Sequence, residues 1–209
     1  MFITEITPII FRYCRYLVII TMRKLIILDR DGVINQDSPD YIKSVDEWIP
    51  IPGSLEAIAS LNKAGYTVTV ATNQSGIGRG YYTLETLEKI HQKMFASLKI
   101  FNGHLDGIFF CPHNPTDHCT CRKPAPGLFH QIFNHFNLKA PFSDIISIGD
   151  SLRDLEAAQN AGCTPFLVLT GNGEQTKQKL TSSLLNIPTY ANLSFAVAAL
   201  LAREHDDLS

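Results

Sequence analysis

The 209-residue chain is 45% hydrophobic and 18% charged, with a formal net charge of -2, a balance that fits one ordinary globular domain with a substantial core. Mild acidity argues against a nucleic-acid surface, which would be expected to be basic. Five cysteines, an odd number and mostly clustered, do not make a disulfide scaffold and point instead to a reducing compartment and a metal site. A cytoplasmic monomer is expected.

Residues 1–21 contain the apolar stretches Ile9-Ile10-Phe11 and Leu17-Val18-Ile19-Ile20, interrupted by Arg12 and Arg15. They hold no run of about 18 apolar residues, so a membrane span is not expected. A signal peptide is a poor fit, because no small-residue cleavage site follows. Met22-Arg23-Lys24 leads straight into the first strand pattern. Residues 1–21 are therefore expected to be an extension outside the fold, and 22–209 a single domain.

Along the rest of the chain, period and punctuation predict strands alternating with helices. A strand over 24–29 ends at Asp29-Arg30-Asp31-Gly32. Gly53 to Ala64 has apolar residues at helical spacing (Leu55, Ile58, Ala59, Leu61), and Gly65 closes it as a C-terminal cap. A strand from Tyr66 to Ala71 leads into Thr72-Asn73-Gln74-Ser75. The glycine run Gly76-Ile77-Gly78-Arg79-Gly80 is not a dinucleotide fingerprint and is expected to be a mobile loop over the site. A helix over 83–98, a strand over 106–110 and a Cys/His loop come next. They are followed by a helix over 126–136, a strand over 145–148 ending at Gly149-Asp150, and a helix over 152–161. A strand over 165–169 and a helix over 194–202 complete the series. This alternation predicts a three-layer α/β/α, Rossmann-like fold with a mostly parallel sheet and right-handed crossovers. Only about twenty residues separate Gly32 from Gly53, too few for a cap domain.

Polar residues gather at three strand ends: Asp29 and Asp31, Thr72 to Ser75, and Asp150. In an open α/β sheet those ends are where ligands bind. D-x-D-G by itself is equally well a polar strand-to-loop turn; the other strand ends give it chemical meaning. Asp29 and Asp150, with few other ligands, suit Mg²⁺, an oxygen-seeking ion that keeps waters and a substrate phosphate. Thr72 offers a hydroxyl and Lys123 a point charge for a phosphoryl group. Asp29 is then placed to attack phosphorus. Asp31, two residues on, is placed to protonate the leaving alcohol and afterwards to activate water.

Cys111-Pro112-His113 and Cys119-Thr120-Cys121 bring three thiols and one imidazole into eleven residues. Cys111, His113, Cys119 and Cys121 match the ligand set of a closed, structural Zn²⁺ site, although reduced cysteines in a polar loop would read the same way. Cys14 and Cys163 lie outside this cluster, and Cys163 is expected to be a small core residue. Ser151-Leu152-Arg153-Asp154 has capping-box spacing, which leaves Asp154 open between a cap and a supporting residue of the metal site. His91, His104, His118, His130 and His135 show no ligand spacing and are expected on the surface or satisfied in the core.

Asp29-x-Asp31-Gly32, the strand-end Thr72, Arg122-Lys123-Pro124 and Gly149-Asp150 with Asp154 occur in the order seen in one known superfamily. The chain resembles the haloacid-dehalogenase (HAD) phosphatases, which use an aspartate nucleophile. Arg30, Thr72-Asn73-Gln74-Ser75-Gly76 and the Cys-Arg-Lys-Pro stretch resemble the branch of heptose bisphosphate and histidinol-phosphate phosphatases. The likeness covers residues 24 to about 172. It implies Asp29 as nucleophile, Asp31 as acid and base, Thr72 and Lys123 on the phosphoryl group, and Asp29, the Asp31 carbonyl and Asp150 on Mg²⁺. It also implies substrate contacts from Asp37, Tyr41, Asn73, Gln74, Ser75 and Arg122, with Ser151 at the same edge. Two departures stand out. The loop Asp37 to Tyr41 is one residue longer than the pattern, and Ser151 replaces a lysine, so a charge is missing there. The expected function is Mg²⁺-dependent hydrolysis of a small sugar bisphosphate, D-glycero-D-manno-heptose 1,7-bisphosphate to the 1-phosphate, with neither nucleic acid nor membrane as partner. The competing readings are a phosphatase for histidinol phosphate or another small ester, and a zinc-braced binding module without catalysis.

Overall fold

The computed structural model describes residues 24–206; the expectations for residues 1–21 and for Cys14 fall outside them. Six strands form one sheet in the order β3-β2-β1-β4-β5-β6. They are β1 (Leu25–Leu28), β2 (Thr67–Asn73), β3 (Gly107–Cys111), β4 (Ile146–Gly149), β5 (Thr164–Val168) and β6 (Thr189–Tyr190). Every neighbouring pair is parallel. The helices are α1 (Ser54–Lys63), α2 (Ser75–Gly78), α3 (Leu84–Ile100), α4 (Gly127–His135), α5 (Leu152–Asn160), α6 (Gly173–Lys177) and α7 (Leu193–Asp206). None of the described helices is long and apolar enough to cross a membrane.

The period-2 alternation of β1 sorts its side chains between two cores. Ile26 and Leu28 pack with Leu55, Ile58, Ile90, Met94 and Val197 of α1, α3 and α7. Leu25 and Ile27 face the other way, onto Leu128, Ile132, Ala157 and Cys163 beside α4 and α5. Buried on both faces, such a strand reads as a continuous apolar run. Cys163 is the small core residue expected of it. Local signals set the helix ends. The Thr83 hydroxyl accepts the Thr86 N–H at α3, Ser151 and Asp154 form a capping box on α5, and Gly65, with φ +84°, follows α1.

Three features differ from the sequence reading. Ser75–Gly78 is a helical turn rather than a loose loop, and it is packed tightly. A Cβ at Gly76 would lie 2.2 Å from the Tyr82 ring and one at Gly78 2.7 Å from the Pro112 carbonyl. The sequence reading also missed α6 and the two-residue β6. Both elements are too short to carry a period.

The strand order reverses between β1 and β4, because the chain runs outward through β2 and β3 and then returns to build β4, β5 and β6. At such a switch point two connections leave in opposite directions and open a crevice at the carboxyl ends of the strands. Asp29 and Asp150 stand at that crevice. Residues 33–53 cover it as irregular chain anchored by apolar side chains, with Val33, Ile34, Ile42 and Trp48 in the same core as α3. Lys93 of α3 donates to the carbonyls of Val45 (2.7 Å) and Trp48 (2.8 Å) and lies over the Trp48 ring. Trp48→Ala removes a fully buried ring and is expected to lower stability by roughly 3–5 kcal/mol. A urea melt with an unchanged midpoint would contradict this anchoring role.

Candidate active site

Asp29 extends the β1–β4 ladder by donating its N–H to the Ile148 carbonyl, 2.9 Å away. Its carboxylate Oδ1 accepts the Arg30 N–H at 2.7 Å and lies 3.0 Å from the Lys123 ammonium. Oδ2 makes no hydrogen bond or ion pair with the described residues. Lys123 is 3% exposed. Its Nζ also pairs with Asp154 Oδ1 at 2.6 Å and donates to the Ala71 carbonyl at 2.7 Å. Asn73 holds the lysine backbone from both sides, donating to the Lys123 carbonyl and accepting the Lys123 N–H, each at 3.1 Å.

Asp29, Asp150 and Asp154 each bring a carboxylate oxygen within 4.8 Å of the others. Burial and the Asp154 charge raise Asp29 to about 7, against the pull of Lys123. Burial, then Asp154 and Asp29, raise Asp150 to about 8. Asp154 behaves differently. Burial pushes it up, but Lys123 and the Ser151 hydroxyl outweigh that and hold it below the ordinary carboxylate range. Burial likewise works against the Lys123 ammonium, and Asp154 and Asp29 overcome it. The three carboxylates share the one Lys123 ammonium, and a divalent cation bound by oxygen fits between them. Asp29 and Asp150 would hold it. Both Asp154 oxygens are engaged, one by Lys123 and the other by the Ser151 N–H and hydroxyl. Asp154 is thus at once the α5 cap and the anchor of Lys123.

Glycine makes room for Asp150. A Cβ at Gly32 or at Gly171 would fall 2.1 Å from Asp150 Oδ2, and both residues have positive φ. That oxygen accepts the Asn172 N–H at 2.7 Å and its side-chain amide at 3.1 Å. The same amide donates to Asp37 at 2.7 Å, joining the 33–53 segment to the strand ends.

Asp31 sits among donors. Arg30 reaches it with Nε and Nη2 at 3.0 Å each, Asn35 donates at 2.9 Å and Gln74 at 2.9 Å. Arg30 is buried, and Nη1 stands 3.4 Å from His91 Nε2. Burial and then Arg30 lower His91 to about 4, so it is a neutral core histidine that accepts from the guanidinium.

A cavity of about 380 Å³ gathers Asp29, Asp31, Asp37, Tyr41, Thr72, Asn73, Gln74, Ser75, Arg122, Lys123, Asp150 and Ser151. All the residues expected at the phosphoryl and substrate site therefore share one chamber. Lys123, Asn73 and Asp31 have their side-chain polar atoms engaged as described above, and Gln74 and Ser151 are engaged inside the protein as well. Gln74 makes four side-chain hydrogen bonds, and the Ser151 hydroxyl bonds Asp154 and accepts from Arg153 at 3.1 Å. Arg79, Arg153 and Asn172 line the same cavity and were missed in the sequence. Arg79 lies inside the glycine run, Arg153 inside the capping box, and Asn172 in the Gly-Asn-Gly loop after β5. That last position, a strand-end loop, was a signal that could have been read.

Cys111, His113, Cys119 and Cys121 form a second cluster. Five of their ligand-atom pairs are 3.3–3.6 Å apart. A tetrahedral zinc ion would place such atoms about 3.5–3.8 Å from one another, from its bond lengths to sulfur and nitrogen. The donor set therefore fits a four-coordinate ion. The loop is seated on its surroundings through a Gly78 N–H bond to Pro112 at 3.0 Å and an Arg122 contact to the His113 carbonyl at 3.5 Å. A Cβ at Gly127 would meet the Thr120 carbonyl at 2.3 Å.

The sheet order and the strand-end carboxylates define a HAD-like hydrolase, and a HAD-hydrolase-like family model matches residues 120–189. A Neisseria meningitidis protein is 56% identical over 153 residues, 73% of this chain and 81% of that one. A Pseudomonas putida protein is 50% identical over 181 residues, 87% of this chain and 98% of that one. Both are D-glycero-beta-D-manno-heptose-1,7-bisphosphate 7-phosphatases. The crystal structure of a D,D-heptose 1,7-bisphosphate phosphatase from B. bronchiseptica, complexed with magnesium and phosphate, superposes with a TM-score of 0.81 at 48% identity, covering 86% of this chain and 99% of that one. This chain belongs to the heptose-1,7-bisphosphate 7-phosphatase family of HAD-like hydrolases.

Removing the buried cation tests the electrostatics directly. Lys123→Met takes from Asp29 and Asp154 the ammonium they share and is expected to cost roughly 3 kcal/mol or more in metal-free buffer. A wild-type urea midpoint for this variant would show that the ion pairs do not hold the strand ends.

Proposed function

We propose that this chain is a Mg²⁺-dependent phosphomonoesterase that removes the 7-phosphate of D-glycero-β-D-manno-heptose 1,7-bisphosphate and leaves the 1-phosphate. The observation that carries this reading is the convergence of Asp29, Thr72, Lys123 and Asp150 at the switch point of the sheet. Relatives at 50–56% identity supply the substrate.

Asp29 is the nucleophile. Its carboxylate forms a bond to phosphorus as the bond to the ester oxygen breaks, giving an aspartyl-phosphate. Asp31 donates a proton to the leaving sugar oxygen, then takes one from the water that attacks the aspartyl-phosphate, which releases phosphate and restores Asp29. Lys123 and the Thr72 hydroxyl hold the phosphoryl oxygens, where charge builds in the transition state. Asp29, the Asp31 carbonyl and Asp150 hold Mg²⁺, which when bound neutralises charge on the phosphoryl group. Arg79, Arg122 and Arg153 line the same cavity and suit a substrate with a second phosphate. The imidazole and amine of histidinol phosphate would meet those cations unfavourably. Asp37 and Tyr41, on the covering segment, are assigned to the sugar.

Asp29→Asn keeps the shape of the residue but removes the attacking charge. It is expected to abolish nearly all phosphate release, with the fold unchanged by circular dichroism. A folded Asp29→Asn protein turning over at the wild-type rate would refute the nucleophile.

The Cys111, His113, Cys119 and Cys121 cluster is assigned to one structural Zn²⁺, whose binding free energy stabilises the loop entering Arg122 and Lys123. Zinc is expected to copurify at one per chain. Cys119→Ser should lose it, melt at lower temperature and bind phosphate more weakly. Purified wild type without zinc, or a Cys119→Ser variant with unchanged melting and kinetics, would overturn the assignment.

A further inference from the structure

The side chain of Gln74 follows β2 into the cavity, yet it has no hydrogen-bonding capacity left for a ligand. A glutamine amide offers two donor hydrogens and two acceptor lone pairs. Oε1 accepts from Arg30 Nη2 at 3.0 Å and from the Tyr82 hydroxyl at 2.7 Å. Nε2 donates to Asp31 Oδ2 and to Thr72 Oγ1, each at 2.9 Å. The residue is 2% exposed. Arg30 is a donor only, which fixes the amide with its oxygen toward Arg30 and its nitrogen toward Asp31 and Thr72.

This wiring has a direct consequence for both partners. The Asp31 carboxylate is held in one orientation, because each oxygen takes donors from fixed groups: Oδ1 from Arg30 and Asn35, Oδ2 from Arg30 and Gln74. Thr72 Oγ1 accepts from Gln74, so its own hydrogen is left to donate elsewhere, and Thr72 lines the cavity. A single buried amide thus sets the acid/base carboxylate and the hydrogen-bond polarity of the phosphate-facing hydroxyl together. Tyr82 is held in place by packing as well: a Cβ at Gly76 would strike its ring.

We infer that Gln74 is a positioning residue that couples proton transfer at Asp31 to phosphoryl binding at Thr72, with Arg30 and Tyr82 fixing its amide. The inference rests on the roles given to Asp31 and Thr72 under Proposed function. In the step concerned, the Asp29 oxygen–phosphorus bond forms and the phosphorus–alkoxy bond breaks. The proton passes from the Asp31 carboxyl to the departing oxygen; while that carboxyl is protonated, the oxygen carrying the proton gives up one of the donors it accepts from as a carboxylate. An alkoxide leaving group needs that proton, whereas 2,4-dinitrophenolate does not.

The test compares release of the leaving group in a single turnover, with enzyme and Mg²⁺ in excess, for glycerol 2-phosphate and for 2,4-dinitrophenyl phosphate. Gln74→Met keeps volume and removes all four hydrogen bonds. Its loss on the alkyl ester is expected to exceed its loss on the aryl ester by about tenfold or more, a fraction of what positioned acids contribute. Tyr82→Phe, which removes one hydroxyl, should show the same asymmetry at smaller amplitude and serves if Gln74→Met does not fold. A residue that only supports the fold would slow both esters alike. Asp31→Asn provides the reference, with an asymmetry at least as large. If Asp31→Asn shows the asymmetry and the Gln74 and Tyr82 variants slow both esters equally or not at all, the positioning role is overturned. If Asp31→Asn itself shows none, Asp31 is not the acid, and both the proposed mechanism and this inference fall.

Discussion

Lys123, buried between Asp29 and Asp154, is the constraint on which the rest of the site depends. Three carboxylates are drawn to the carboxyl ends of β1 and β4, where parallel strand topology places them. In that setting burial and mutual repulsion would favour protonation. The ammonium offsets part of that cost, and what it leaves uncompensated falls on Asp29 and Asp150. That uncompensated part marks where a cation fits, and the division of labour follows from it. Asp154 is saturated by the lysine and the α5 cap, whereas Asp29 retains one oxygen without a partner among the described residues.

The lysine is held in turn by elements far apart in sequence. Its backbone is clasped by Asn73 and its ammonium by the Ala71 carbonyl, both at the end of β2. The Cys/His loop delivers it. Cys121 immediately precedes Arg122 and Lys123, and Cys111 ends β3, so the cluster ties the entry of the loop to its exit. A short loop with little apolar content has few other means of fixing a cation to within a bond length. Gly78 and Gly127 allow backbone on either side to approach it closely.

The fold places no inserted domain over the cavity among the described residues. Residues 33–53 cover it instead. They are fixed to α3 through Trp48 and Lys93 and to the β5 loop through Asp37 and Asn172. Specificity on such a scaffold comes from side chains of several short segments. That is consistent with the cations at the cavity reaching it from α2, the Cys/His loop and the start of α5.

Periodicity and local chemistry were enough to read much of this protein from its sequence. The continuous apolar run of β1, the apolar spacing of α1 and α3, the Ser151–Asp154 capping box and the cysteine spacing all involve residues close along the chain. Local forces determine them. The strand-end carboxylates were legible for a related reason: a polar residue that ends a buried apolar run must emerge at the sheet edge. Tertiary structure decided which groups meet. Asn73 bonds Lys123 across 50 residues, Gln74 bonds Asp31 across 43 and Asn172 bonds Asp37 across 135. Such partnerships depend on strand order and on which side chain fills the remaining hydrogen-bond capacity of a buried neighbour. The sequence could therefore leave Asp154 open between a cap and a supporting residue of the metal site, and only the folded sheet, by bringing β2 and β4 to either side of β1, made it both the α5 cap and the anchor of Lys123.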